Sequence, residues 1–174
     1  QYDKAYFDKW YRSRTHRVRS PAQIARIVRF VLSSAEYVLD RPVRTVLDVG
    51  AGEGHWQPIL KSLRPRVRYV GVEPSEYAVS RYGSRRGIQR GSVERLKDLN
   101  LHETVPEGFD LVISCGVLNY VPSRNFATAV AQIAAHVGGV AWLEVFTKDD
   151  DIEGDVEALE PRAARWYRDR FRAA

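Results

Sequence analysis

The 174-residue sequence has a single cysteine and no methionine. One cysteine, Cys115, excludes an intrachain disulfide and fits a reducing compartment. The missing methionine extends to the initiator, so Gln1 is not expected to be the biological start. Charges interrupt every apolar run well before it reaches the length that crosses a bilayer. The N-terminal stretch QYDKAYFDKWYRSR is polar and aromatic, unlike a basic end followed by an apolar leader. Together these absences predict a soluble, cytoplasmic protein with no membrane partner. Internal repeats and low-complexity linkers are also lacking, and the length fits one domain, 1–174, with its own core.

What is present is ordinary for a globular chain: 44% hydrophobic and 28% charged residues. The net charge is +5, with a pI near 9.5. Arginine supplies most of it, since the lysines are only Lys4, Lys9, Lys61, Lys97 and Lys148. A basic balance raises the odds of a nucleic-acid partner. The arginines are scattered, however, not gathered into one stripe with aromatics, and a nucleic-acid partner is the less favoured reading.

The pattern along the chain alternates. An aromatic-rich helix is predicted near 3–13, then an amphipathic helix over 21–39, started by Ser20-Pro21. Strands are predicted over 44–49, 66–72, 87–90, 109–114 and 139–146. Helices fall between them at 54–63, at 75–82 and from a Ser123 cap to His136, with a last helix over 160–172. Alternation of this kind predicts a doubly wound α/β fold: a mostly parallel, Rossmann-like sheet with helices on both faces. Ligands of such sheets bind beyond the carboxyl ends of the strands.

The stretch VLDVGAGEGHW, Val46 to Trp56, sits at such an end. Its glycines, Gly50, Gly52 and Gly54, are spaced G-x-G-x-G, and His55 stands where the dinucleotide fingerprint has its third glycine. No Gly-Lys-Ser/Thr follows, which excludes a P-loop. Glu73, 19 positions after Gly54, suits a ribose in either a nicotinamide or another nucleoside site. Asp48 separates the readings. A pyrophosphate disfavours a carboxylate there, whereas a ligand carrying an ammonium and a sulfonium welcomes one. The order acid-x-Gly-x-Gly-x-Gly thus favours S-adenosylmethionine, and an NAD-dependent oxidoreductase ranks last.

Over about 44–146 the sequence resembles the class I S-adenosylmethionine-dependent methyltransferases. The resemblance rests on VLDVGAGEG, on YVGVEPS ending the second strand, on RGSVERL after the third and on FDLVISCGVLNYVP at the fourth. It implies S-adenosylmethionine as methyl donor and S-adenosylhomocysteine as product. It further implies Asp48 near the methionine end, Gly50 and Gly52 allowing close backbone approach, and Glu73 on both ribose hydroxyls. Pro74 and Ser75 then border the adenine, Ser92 and Val93 lie at its exocyclic edge, and Cys115, Gly116 and Val117 form the floor. The family often has Asp where this chain has Ser92; Glu94 is the substitute at hand. The N-terminal segment resembles the aromatic lid of small-molecule methyltransferases, with Tyr11 and then Tyr6 over the methionine; the alternative is that these rings pack on the sheet. The family sheet ends in an antiparallel hairpin, for which the chain stops too soon. The expected layout is a lid segment over 1–40, a cofactor-binding core over 44–146, and a rim loop with the last helix over 147–174.

Methyl transfer needs no fixed base, and none is obvious. Asn119, Tyr120 and His55 are the candidates, while His16, His102 and His136 look peripheral. The Asn/Asp-Pro-Pro-Tyr/Phe motif of amino-directed nucleic-acid methyltransferases is missing. The run from Asp149 to Glu160 nearly spells a calcium loop, with Asp149, Asp151, Gly154 and Glu160 in place. Glu153 breaks the pattern and a strand enters it, so an acidic rim loop with no metal is expected. The favoured function is methyl transfer to a small molecule. The alternatives are an RNA or protein methyltransferase, and a non-catalytic domain that holds cofactor or partner. Oligomeric state is not encoded in these motifs.

Overall fold

The computed structural model describes residues 2–13, 15–152, 155, 156 and 158–174. Five strands form one parallel sheet: β1 (Thr45–Val49), β2 (Arg68–Glu73), β3 (Ile88–Arg90), β4 (Phe109–Cys115) and β5 (Val137–Glu144). Their order is β3-β2-β1-β4-β5. The chain winds outward from β1 to one edge and then outward from β4 to the other, so the direction reverses between β1 and β4. That crevice is where such sheets bind ligands. The expected doubly wound architecture is observed.

Central strands explain the apolar runs. β1 and β4 are covered on both faces, so consecutive residues are apolar and buried. Side chains still alternate between faces. Val46, Leu111 and Ile113 pack against helix α2 (Pro21–Leu39) and α3 (Trp56–Leu63) through Val28, Leu32, Trp56 and Leu60. Leu47, Val49 and Val112 point to the opposite layer, which holds Leu96, Phe126 and Tyr167. Phe126 opens α6 (Phe126–Ala134), which follows the one-turn α5 (Leu101–Thr104), and Tyr167 lies in α7 (Ala164–Arg172).

Local signals set most boundaries. Ser20 and Gln23 form a reciprocal cap: the Ser20 hydroxyl accepts the Gln23 N–H at 3.2 Å, and the Gln23 side chain accepts the Ser20 N–H at 2.7 Å. Near the N-terminus α1 (Lys4–Phe7), capped by Asp3, runs into a wide π turn over Asp8–Arg12. Helix α4 (Glu76–Arg86) outlasts the expected 75–82, because Gly83 lets it lie close to the Ile88 carbonyl and Gly87 ends it at φ +64°.

Three expectations need correction. Ser123 does not cap α6; Asn125 holds that position, and Ser123 donates its N–H and hydroxyl to Glu160. The last helix begins at Ala164, not near 160, since Pro161 disfavours a helical Glu160. The last strand lies at Val137–Glu144, two residues earlier than expected, and is half exposed because it is a sheet edge. All strand pairs among the described residues are parallel; none corresponds to the family's antiparallel hairpin.

Candidate active site

The glycine loop after β1 turns three times through the left-handed region, with φ of +76° at Gly50, +55° at Gly52 and +71° at Gly54. The reasons differ. A Cβ on Gly50 would come 2.1 Å from Cγ2 of Val117, so β1 and the segment after β4 meet closely there. A Cβ on Gly52 would come 2.8 Å from the Tyr11 hydroxyl, inside the cleft. Gly54 makes room for Ile88 and Arg86.

Two joined chambers open beyond the strand ends. The first, about 320 Å³, is lined by Gly52, Glu73, Pro74, Ser92, Val93 and Glu94 among others. The second, about 240 Å³, is lined by Trp10, Arg19, Asp48, His55, Glu144 and Asp155 among others. Tyr6, Tyr11, Gly50, Cys115, Gly116 and Tyr120 border both. Val117 lies on the first. Most sequence-derived cofactor residues thus meet at one place. Ser75 does not line either chamber: its hydroxyl caps α4 at Ala78 and donates to the Tyr2 carbonyl at 2.6 Å.

Glu73 ends β2 and is 6% exposed. One carboxylate oxygen accepts the Gly52 N–H at 2.8 Å and the other the Ser75 N–H at 2.9 Å. Burial raises its pKa while these two N–H groups oppose the shift. An ionised carboxylate has about four acceptor sites; two are occupied, and both oxygens retain one. Asp48 is buried, and the Tyr69 hydroxyl donates to it at 2.7 Å. Burial pushes its carboxyl up to about 7, Tyr69 opposes this, and the charge of Glu73 adds to it.

The second chamber has its own polar frame. Arg19 pairs with Glu144. Nε2 of His55 lies 3.3 Å from Oε2 of Glu53, whose other oxygen takes Arg12. Burial alone would raise Glu53, but His55, Arg12 and Tyr82 outweigh it and hold the carboxyl low. The His55 ring stacks near Tyr11, with centroids 5.8 Å apart. Burial raises the hydroxyls of Tyr6, Tyr11 and Tyr120 and the thiol of Cys115, so these groups keep their protons. Tyr120 donates its hydroxyl to the Asp155 carbonyl at 2.7 Å.

Asn119 is withdrawn as an acceptor-facing group. It is fully buried; its amide nitrogen donates to the Phe146 carbonyl and the Tyr167 hydroxyl, and its oxygen accepts the Phe146 N–H. It ties the turn after β4 to the end of β5. His102 and His136 stack on each other, and neither borders a chamber; His16 sits near Trp10. In the acidic run, Ile152 and Asp155 line the second chamber, while Glu153 and Gly154 lie outside the described residues. Glu160 binds Ser123 and Arg162, and no cluster of three or more metal-ligating side chains occurs among the described residues.

Sequence reasoning missed Glu53, Arg19, Glu144, Trp10 and the buried Arg162. Glu53 was visible as an acid inside the glycine loop. Arg162 binds the carbonyls of Leu118 and Val121 and lies over Trp166, holding the turn that carries Tyr120. No local pattern announces it.

A family model described as a methyltransferase domain matches residues 47–141. The chain belongs to that family. No curated protein matches the sequence. Among solved structures, this methyltransferase domain resembles CalS10, an amino pentose methyltransferase of Micromonospora echinaspora with SAM bound. There the identity is 19%, the TM-score 0.60, and the match covers 74% of this chain and 54% of that one. A SAM-dependent methyltransferase from Archaeoglobus fulgidus matches at 12% identity and TM-score 0.68, covering 97% and 72%. The plantazolicin methyltransferase BamL, in complex with a triazolic desmethylPZN analog and SAH, matches at 14% and 0.68, covering 88% and 62%. At these identities the likeness is one of fold, that of the class I methyltransferases. The chain spans about half the length of the first solved structures it matches. No helix among the described residues is long and apolar enough to cross a membrane.

Proposed function

We propose that this domain transfers a methyl group from S-adenosylmethionine to a small-molecule acceptor, releasing S-adenosylhomocysteine. The observation that carries the reading is Glu73: buried at the chamber wall, fixed by two backbone N–H groups, with an acceptor site left on each oxygen for a pair of ribose hydroxyls. The remaining donor set fits the same molecule. Asp48 is a carboxylate kept from water at a cost that a nearby ammonium relieves. His55 stands at the sequence position where the pyrophosphate-binding fingerprint has its third glycine. In this reading Pro74, Ser92, Val93 and Glu94 border the adenine, Gly52 passes close by, and Cys115, Gly116 and Val117 form the floor. Gly50 serves the approach of Val117, and Ser75 acts by capping α4 and by holding Glu73 through its N–H. Tyr11 and Tyr6 cover the junction of the chambers. In this reading the chain acts as one domain: the segment before α2 serves as lid, α2 belongs with the 44–146 core because it packs on the sheet, and 147–174 supplies the rim loop and last helix.

When bound, S-adenosylmethionine supplies a methyl group on a cationic sulfur, an electrophile that an aligned nucleophile attacks directly. The protein's work is alignment of the acceptor and exclusion of water by Tyr6, Trp10 and Tyr11. An acceptor that loses a proton finds His55 in the second chamber. With Nε2–H turned to Glu53, the other ring nitrogen holds a lone pair for that proton, a contribution of about 10²–10⁴ in rate. Tyr120 stays protonated and orients rather than deprotonates.

A small acceptor is favoured by the size of the second chamber, about 240 Å³. The net charge of +5 favours the RNA reading, for which affinity falls steeply with salt. The lone free thiol supports a reducing, cytoplasmic setting. The test is formation of S-adenosylhomocysteine from S-adenosylmethionine over a panel of amines, phenols, hydroxy compounds and short RNAs. Turnover of a small molecule alone is expected. Turnover of RNA alone contradicts the acceptor class, and cofactor binding without turnover of any acceptor favours a non-catalytic domain.

A further inference from the structure

The N-terminal segment is held to the rest of the molecule at three points. At its start, the Ser75 hydroxyl donates to the Tyr2 carbonyl at 2.6 Å. In its middle, Phe7 is 2% exposed, its ring centroid 4.9 Å from that of Tyr11 and 5.7 Å from that of Tyr77 on α4. At its end, Arg12 reaches two elements that frame the cleft. Its guanidinium pairs with Glu53 of the glycine loop and donates to the Tyr82 hydroxyl of α4 at 2.8 Å. Asp8 pairs with both Lys4 and Arg12 and ties the segment into one body. Tyr2, Tyr6, Phe7 and Tyr11 of that body line the first chamber. Residues 15–18 beyond it are exposed, and Ser20 then caps α2. A compact piece on an exposed connection can swing as a unit.

The three anchors differ in what opening costs. Glu53 is 3% exposed, so lifting Arg12 strips its cation from a carboxylate in a nearly closed place. Burial raises that carboxyl, while His55 and Arg12 hold it low. Leaving such a group unpaired is more costly than exposing one phenyl ring. Arg12 itself is 36% exposed, so water reaches the pair from outside and can part it. We propose that the Arg12–Glu53 pair is a latch that holds residues 2–13 closed over the first chamber, so that entry and exit of the cofactor wait on its breaking. The inference rests on the methyltransferase reading for the ligand, and on the segment's own contacts for the motion. The second oxygen of Glu53 faces Nε2 of His55 at 3.3 Å. One carboxylate thus closes the segment with one oxygen and orients the His55 ring with the other.

The test compares the whole chain with Arg12→Gln, Glu53→Gln and the double variant. The first measurement needs no cofactor: amide hydrogen exchange over residues 2–13. Exchange should quicken at least about fivefold in each single variant, with about twofold or less added in the double variant. Exchange in β1 and β4 should stay unaltered, which separates local opening from unfolding. If Glu53→Gln does not fold, Arg12→Gln on the outer side of the pair decides. Stopped-flow binding of S-adenosylhomocysteine follows. A latch limits both directions, so association and dissociation should both speed up, by about fivefold or more. Unaltered exchange over 2–13 overturns the proposal whether or not the ligand binds. Faster dissociation with association unchanged or slowed also overturns it, because Arg12 is then a binding contact and not a gate. Failure of S-adenosylhomocysteine to bind the unaltered chain overturns the methyltransferase reading, and hydrogen exchange alone then decides whether the segment is latched.

Discussion

The two chambers share a wall but are built by different means. The first has a floor and walls of strand ends and backbone, namely the glycine loop, Glu73 held by the N–H groups of Gly52 and Ser75, and the segment after β3, with Tyr2, Tyr6, Phe7 and Tyr11 added from the N-terminal segment. The second is made of side chains brought from far apart: Trp10 and Arg19 before the sheet, His55 after β1, Glu144 to Asp155 after β5. A chamber built on strand ends cannot change shape without disturbing the sheet. A chamber of side chains on a rim can change its ligand without touching the sheet.

Substitutions can break this division at four points. Gly50→Ala strikes the shared wall and should have the largest effect. The left-handed backbone costs about 1–2 kcal/mol for any side chain, and the contact with Val117 adds about 1–3. The melting temperature should fall by about 5–15 °C at about 2–4 °C per kcal/mol. Adding Val117→Ala should restore part, leaving the cost of the backbone.

Glu73→Ala should act chiefly on the first chamber, and through the lost charge it also lowers the Asp48 carboxyl. Hydrogen bonds to a charged group are each worth about 1.5–3 kcal/mol. Loss of the pair, partly replaced by water, should weaken S-adenosylhomocysteine about 10²-fold.

Asp48 couples the chambers through pH. Its folded pKa, about 7, lies above the ordinary carboxylate value. The folded state therefore binds the proton more tightly, and the stability of the empty protein should decline as pH rises from about 4 to about 7. Binding of a cationic cofactor requires the ionised form. A group with that pKa goes from about one tenth to about nine tenths ionised between pH 6 and 8, so affinity should rise about tenfold. Asp48→Asn should flatten both profiles, while Tyr69→Phe, which removes the opposing hydrogen bond, should move them to higher pH.

The smallest effect lies outside both chambers. Burial depresses the pKa of His136, assisted by the neighbouring His102, against the Gln132 carbonyl. Unfolding therefore takes up a proton at mildly acidic pH, and stability should fall as pH drops below about 6.5, the unfolded value. His136→Gln should remove that part of the slope in a denaturation series and leave cofactor binding unchanged.

The same contrast explains what could be read in advance. β1, β2 and β4 are apolar runs ended by a glycine loop or an acid, and each signal is local. Ser20-Pro21 fixed the start of α2 for the same reason. Asn119 was misjudged because sequence places it after β4 but does not say which way it faces; the Phe146 backbone, 27 positions on, decides that. Ser123 has cap chemistry, yet Glu160 and Arg162 claim its hydroxyl. The residues expected at the cofactor therefore line the first chamber, except Ser75, which lines neither, and Asp48, which lines the second. The second was legible as Asp48, His55, Tyr120 and an aromatic N-terminus, while walls such as Arg19 and Glu144 depend on tertiary neighbours.

The most direct measurement is a calorimetric titration of the purified chain with S-adenosylhomocysteine and with NAD, repeated on Glu73→Ala. One-site micromolar binding of S-adenosylhomocysteine alone, lost in a variant that stays folded, is the expected result. Binding of NAD in preference to S-adenosylhomocysteine, or S-adenosylhomocysteine binding that survives the loss of Glu73, would contradict the assignment of the glycine loop and its acid to this cofactor.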